Sequence, residues 1–189
     1  MTLSLITRAV SAAGLEVQGT LHPRLNHVAD LTSGTLVLLG AAGAFWSTFC
    51  ASPEARDDSV APIDRWSTRV VDQLAEQFSA TPYYPFDGPP YAPFINWALA
   101  SGRAFSSPSG MMVYDQVGLM ISFRGALHFS EELDIPPPPL SNSPCEDCPD
   151  RPCLNACPVG ALAGGEPYNL PVCHNFLNTT SGADCMAYG

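Results

Sequence analysis

Residues 35–50 read TLVLLGAAGAFWSTFC, an apolar run interrupted by Gly40 and Gly43. The run is too short to span a bilayer, because a membrane helix needs about 20 residues. We interpret residues 35–40 as a buried strand, the following AAG as a turn, and the remainder as a short helix that buries Cys50 in the core. A strand followed at once by a helix predicts a globular domain of mixed α and β structure.

Amphipathic helices are predicted on both sides of this run. In residues 2–13 apolar side chains recur at helical spacing, and Gly14 stands where a C-terminal glycine cap belongs. The clearest helix covers residues 62–80, where Pro62 suits the first turn and one stripe of the helix is apolar. The residues that follow Gly14 begin an extended segment.

Proline and glycine, 19 and 15 of the 189 residues, favour many loops and short elements. Residues 81–94 read TPYYPFDGPPYAPF and predict an aromatic loop, because proline lacks the amide hydrogen that a helix needs. Residues 117–129 predict a strand with Gly125 at a bulge or turn. The four prolines at 136–139 form an extended spacer, so we expect one domain at 1–139 and another at 140–189.

The charge balance narrows the classes of partner. Eighteen acidic residues against eight arginines, with no lysine, leave a formal net charge of -10. This charge disfavours binding to nucleic acid and to anionic membranes. Arg8, the earliest positive charge, lies inside an apolar-periodic stretch that fits an amphipathic helix better than a signal peptide. We therefore expect a cytoplasmic protein with neither nucleic acid nor membrane as partner.

Six of the seven cysteines lie in the last 45 residues. They are Cys145, Cys148, Cys153, Cys157, Cys173 and Cys185. The first four read C-x2-C-x4-C-x3-C and are followed by Pro158, which matches the bacterial ferredoxin pattern apart from two extra residues in the second gap. Soft thiolates at such short spacings suit a metal ion or an iron-sulfur cluster. The pattern favours a 4Fe-4S cluster.

Two other uses of these cysteines are open, a zinc site and disulfide bonds. Zinc is the stronger rival, although zinc knuckles usually include histidine and serve basic nucleic-acid binders. Disulfides would not staple the long segment that precedes the tail. The ligand sets are also open: the six cysteines divide into two sets of three, or the first three take one of Cys157, Cys173 and Cys185 as fourth ligand. His174 could substitute for a cysteine.

The tail motif resembles known iron-sulfur proteins. Residues 148–162 read CPDRPCLNACPVGAL, and Cys173 is followed by HNFL. This combination resembles the ferredoxin portion of epoxyqueuosine reductase and of corrinoid reductive dehalogenases, and more closely a group of bacterial ferredoxin-like proteins. In that group two more cysteines follow the counterpart of residues 182–185. The resemblance therefore implies a ferredoxin-like domain that is truncated here, with one cluster and a second only in a longer chain.

Residues 34–139 resemble a different family. LVLLGAAGAFWSTF, PIDRWSTRVVDQLAEQ, PYYPF, VGLMISFRGAL and ELDIPPPP follow one another in the order found in the cobalamin-processing CblC-type protein. This resemblance implies a nitroreductase-like domain, and so an α+β fold with an antiparallel sheet, flanking helices and a small ferredoxin-like tail. Both resemblances imply a redox protein whose cluster passes electrons to a corrinoid or flavin in the first domain, or to a redox partner protein.

A corrinoid or flavin needs a broad apolar and aromatic wall. Five aromatic side chains could form one or could simply cover the core: Tyr83, Tyr84, Phe86, Tyr91 and Trp97. Arg124 could contact a phosphate or carboxylate, or make an ordinary salt bridge. The spacing identifies no catalytic residue. The chain is therefore predicted to be either a corrinoid- or flavin-linked oxidoreductase or an electron carrier, with a zinc-stabilised interaction module as the alternative.

Overall fold

A computed structural model describes residues 1–23, 31–41, 43–139, 142–162 and 168–183. The chain divides into two compact units. The first unit comprises Met1–Ala104 with Met120–Ser141, and the second comprises Phe105–Leu119 with Asn142–Gly189. Residues 105–119, which precede the proline spacer, thus group with the cysteine-rich tail.

The described residues form both helices and strands. The helices are α1 (Leu3–Ala12), α2 (Phe45–Cys50), α3 (Pro62–Phe78), α4 (Phe94–Ala100) and α5 (Leu170–Leu177). The strands are β1 (Leu15–Leu21), β2 (Thr35–Ala41), β3 (Thr81–Tyr83), β4 (Ala104–Ser106), β5 (Met112–Tyr114) and β6 (Phe123–Phe129). Short 3-10 turns cover Pro152–Leu154 and Thr180–Gly182. The predicted α+β class, with an antiparallel sheet and flanking helices, is confirmed. None of the described helices combines the length and the apolar character needed to cross a membrane.

The main sheet of the first unit has the strand order β1-β2-β6-β3, and all of its pairings are antiparallel. Strand β2 is central, with Val37 opposite Leu127 of β6. The pairing shifts between Leu39 and Gly40, whose partners are Gly125 and Phe123. Arg124 is therefore the extra residue of a β-bulge, adjacent to the glycine at which a bulge or turn was predicted.

Strand β2 is apolar throughout because both of its faces are covered. Val37 and Leu39 join the core cluster that contains residues of α1 and α3, such as Ile6 and Trp66. Leu38 lies on the opposite face, since side chains alternate along a strand. The end of α4 lies close to this face of the sheet: a Cβ added at Gly19 would meet the side chains of both Leu38 and Ser101, the residue that follows α4.

Three sequence expectations differ from the structure. Strand β6 begins at Phe123, whereas residues 117–119 belong to a turn after β5 that brings Tyr114 and Gly118 together in a bridge. Helix α4 was not predicted, and β3 occupies the start of the predicted aromatic loop.

Cys50, predicted in the core, is exposed at the end of α2. The apolar face of α2 is instead used by Phe49, which is buried. The predicted turn after β2 includes Ala42, which lies outside the described residues.

Gly34, just before β2, occupies a position where only glycine fits. Its φ is +81°, and a Cβ built there would overlap the backbone carbonyl oxygen of Phe129. We expect Gly34→Ala to lower the free energy of unfolding by about 3 kcal/mol, because the left-handed conformation adds strain to the overlap. Chemical denaturation checks this, with Gly43→Ala as the control, since a Cβ at Gly43 meets nothing within 4 Å. Equal unfolding midpoints for the two variants would contradict the prediction.

Candidate functional site

Short turns in the second unit carry Cys145 and Cys153 of the motif. Cys145 lies in a turn, and its amide donates to the Ser143 hydroxyl at 3.2 Å. Cys153 lies in the 3-10 turn Pro152–Leu154, which follows Arg151 in the left-handed region at φ 38°. The frequent prolines keep this segment out of regular helix, so the cysteines lie on successive turns of a loop.

Backbone amides of the turn that follows Cys157 act on its sulfur. The amide of Ala161 donates to Cys157 Sγ at 3.2 Å. The pKa of this thiol is lowered, mainly by the amide of Val159 and also by those of Ala161, Leu162 and Gly160, while burial opposes them. Hydrogen bonds of this kind favour the thiolate because they stabilise the charged form. Gly160, at φ +66°, gives the local turn its left-handed residue, as in backbone nests that hold anions.

Helix α5 begins beside this loop and carries Cys173. Asn169 caps the helix, with its side-chain oxygen accepting from the amide of Val172 at 3.1 Å. The backbone amide of Asn169 donates to the carbonyl of Ala161 at 3.0 Å. The start of α5 is therefore tied to the loop whose amides act on the Cys157 sulfur.

The hydroxyl of Tyr168 interacts with the Cys173 side chain and is affected by the charge of Cys157. A hydrogen bond with the Cys173 side chain, followed by burial and by the charges of Cys173 and Cys157, raises the pKa of the Tyr168 hydroxyl. The hydroxyl thus lies close enough to both sulfurs to respond to their charge. Sequence reasoning missed this residue, because cysteine spacing carries no signal for a tyrosine outside the motif.

The predicted cysteine ligands do not converge on one metal site within the described residues. Five of the six lie in the described residues, and all five are half-buried free thiols: Cys145, Cys148, Cys153, Cys157 and Cys173. Cys185 lies outside the described residues. Across the described parts of the chain, no three His, Cys, Asp or Glu side chains converge to hold a metal ion. His174 is exposed on α5.

The donor chemistry of the tail nevertheless fits an iron-sulfur cluster. Free thiols provide sulfur ligands, and backbone amides already stabilise negative charge on one of them. Metal sites commonly assemble together with the metal, because the binding free energy also orders the ligands. Cys145, Cys148, Cys153 and Cys157 would hold such a group, with Cys173 as the neighbouring thiol.

The predicted aromatic wall lies in the first unit. Tyr83, Tyr84, Tyr91 and Trp97 line one cleft of about 560 Å³. The rings of Tyr83 and Trp97 meet edge to face at 5.5 Å. The indole nitrogen of Trp97 is buried and has no hydrogen-bond partner among the described residues. Phe86 stacks on Tyr84 at 5.5 Å but lines a different cleft, beside α3. The loop therefore presents a concave aromatic surface.

Two of the arginines in the first unit form close pairs with carboxylates. Arg65 contacts both oxygens of Asp57 at 2.7 Å, and Arg69 contacts both oxygens of Glu54 at 2.5 and 3.0 Å. The hydrogen bond from each arginine is the main reason that the pKa of Asp57 and that of Glu54 fall to about 2. These carboxylates stay charged above strongly acidic pH, so they are paired anions and not proton donors.

Neither a protein-family model nor a curated protein matches this chain. The resemblances described above therefore rest on the quoted motifs alone.

Proposed function

We propose that this chain is an iron-sulfur electron-transfer protein whose second unit binds a 4Fe-4S cluster. The observation that supports this most is the loop that follows Cys157, because its Ala161 amide donates to the sulfur and its amides together lower the pKa of the thiol. Hydrogen bonds to cluster sulfurs are one of the means by which proteins set the potential of such clusters. The remaining half-buried thiols of the motif supply further sulfur ligands.

A bound cluster would take up and release a single electron. The chain's own residues would hold it: Cys145, Cys148, Cys153 and Cys157 as ligands, with Cys173 or Cys185 as the other candidate for the fourth position. Tyr168 would direct its hydroxyl hydrogen to the Cys173 side chain and so moderate the charge on that sulfur. We place the protein in the cytoplasm, where thiols stay reduced.

The electrons would go to a redox partner protein or to a corrinoid or flavin bound by a nitroreductase-like first unit. The cleft lined by Tyr83, Tyr84, Tyr91 and Trp97 supports the second route, because its volume of about 560 Å³ falls in the range of small-molecule pockets. Incubating the full chain with flavin mononucleotide or cobalamin, followed by gel filtration, tests this. Flavin or cobalamin absorbance that elutes with the protein supports a bound second group, whereas a protein peak that carries the cluster absorbance alone indicates a carrier.

Metal analysis of the full chain tests the cluster itself. After purification without oxygen, we expect brown protein that contains about four iron atoms and about four acid-labile sulfides per chain. A colourless protein with stoichiometric zinc would overturn the proposal in favour of a zinc-stabilised interaction module. A protein with neither metal would refute both.

A further inference from the structure

A second cleft of about 660 Å³ opens in the first unit, between the end of the aromatic loop and the start of β6. Its walls are mainly apolar and include Tyr91, Phe94, Ile95 and Phe123. Arg124 supplies the one charged side chain among the described residues that line it. The cleft thus combines an apolar body with a single cationic group.

The cleft opens beside the start of β6 because strand β3 is short and does not extend that far. That strand pairs only with residues 126–128 of β6, through Thr81, Pro82 and Tyr83. Phe123 and Arg124 lie before that pairing, and the bulge of β6 falls at Arg124. Bulges redirect side chains at sheet edges, and they often do so beside functional sites.

Arg124 is less well neutralised than Arg65 or Arg69. Its side chain is 18% exposed, and Asp64, its carboxylate partner among the described residues, lies 3.4 Å from a terminal nitrogen. Its Nε donates to the carbonyl of Phe123 at 2.8 Å. Burial lowers the pKa of Arg124, whereas pairing with carboxylates raises those of Arg65 and Arg69. A half-buried guanidinium with a long ionic contact retains the capacity to bind a further anion.

We propose that this cleft binds a small organic carboxylate with a flat apolar body. The carboxylate accepts hydrogen bonds from Arg124, and the body lies against Tyr91, Phe94 and Ile95. A singly charged group suits the site, because Asp64 lines the cleft beside α3 and is not among the residues that line this one, and the chain carries a net charge of -10. This site does not depend on the proposed cluster.

Calorimetric titration of the full chain with phenylacetate and with neutral phenylacetamide tests the proposal. We expect phenylacetate to bind at least about tenfold more tightly, since a hydrogen bond to a charged group contributes at least that factor. Arg124→Gln should remove this preference. Arg56→Gln, which changes an exposed arginine outside the cleft, should leave it intact. Equal affinity for the two compounds, or full preference in Arg124→Gln, would overturn the proposal.

A second variant keeps the test valid if Arg124→Gln does not fold. Tyr91 is 63% exposed, so Tyr91→Ala should fold normally. It should weaken phenylacetate binding several-fold by removing one wall of the cleft. Unchanged binding in Tyr91→Ala would place the ligand elsewhere. Tighter binding of phenyl phosphate than of phenylacetate would overturn the assignment to a carboxylate.

Discussion

Replacing Cys157 by serine in the full chain, purified without oxygen, is expected to remove most of its iron and acid-labile sulfide. Serine keeps the size of the side chain but loses the soft thiolate that binds iron. The change also removes the sulfur on which the amides of Val159 to Leu162 act. Iron and sulfide per chain, together with the visible absorbance of the cluster, measure the effect.

Cys50→Ser is the matched control for this experiment. Cys50 is an exposed free thiol at the end of α2, in the first unit. The control should keep the iron and sulfide content of the unmodified chain. If Cys157→Ser also keeps it, Cys157 is not a cluster ligand, and the observation that supports the proposed function most is lost.

Trp66→Ala is expected to be among the most destabilising single substitutions in the first unit. Trp66 lies on α3 and is 1% exposed. Its ring meets Phe45 edge to face at 5.3 Å and Phe49 at 6.3 Å. Removing a buried aromatic side chain leaves a cavity and costs about 3–5 kcal/mol. That loss is a large part of the total stability of a typical domain, about 5–15 kcal/mol.

Trp46→Ala supplies the control because it removes the same atoms from a different environment. Trp46 is 62% exposed, and its ring meets Phe49 at 5.6 Å. We expect a cost of about 1 kcal/mol or less there. Urea denaturation followed by circular dichroism compares the two variants. Similar unfolding midpoints would show that Trp66 does not hold the core together.

The elements with strong periodicity were predicted well from sequence. Helices α1 and α3 and strand β2 fall within a few residues of their predicted ranges, because each repeats its apolar positions at the spacing of its own structure. Helix α4 was missed because prolines crowd the residues before it, although Pro93 itself precedes the first turn, where its missing amide hydrogen costs nothing. Residues 117–119 have the sequence character of a strand although they form a turn, because β propensity does not distinguish a strand from a turn that contains apolar residues.

The candidate site was also predictable from the sequence only in part. Cysteine spacing alone indicated a loop with several thiols, because the first four cysteines of the motif lie within 13 residues of sequence. The amides around Cys157 and the hydroxyl of Tyr168 could not be read from spacing, since their positions depend on the turn after Cys157 and on the start of α5.

The sequence by itself determined the helical and strand segments with regular apolar periods, the acidic charge, and the concentration of cysteines in the tail. These are local properties, set by side-chain pattern and composition. Only the tertiary structure decided that Cys50 is exposed, that residues 105–119 group with the tail, and that Arg124 lines a cleft. Features of this kind depend on contacts between residues far apart in the chain. The cleft is an example, because the length of β3 and the bulge of β6 take effect only when the strands pair.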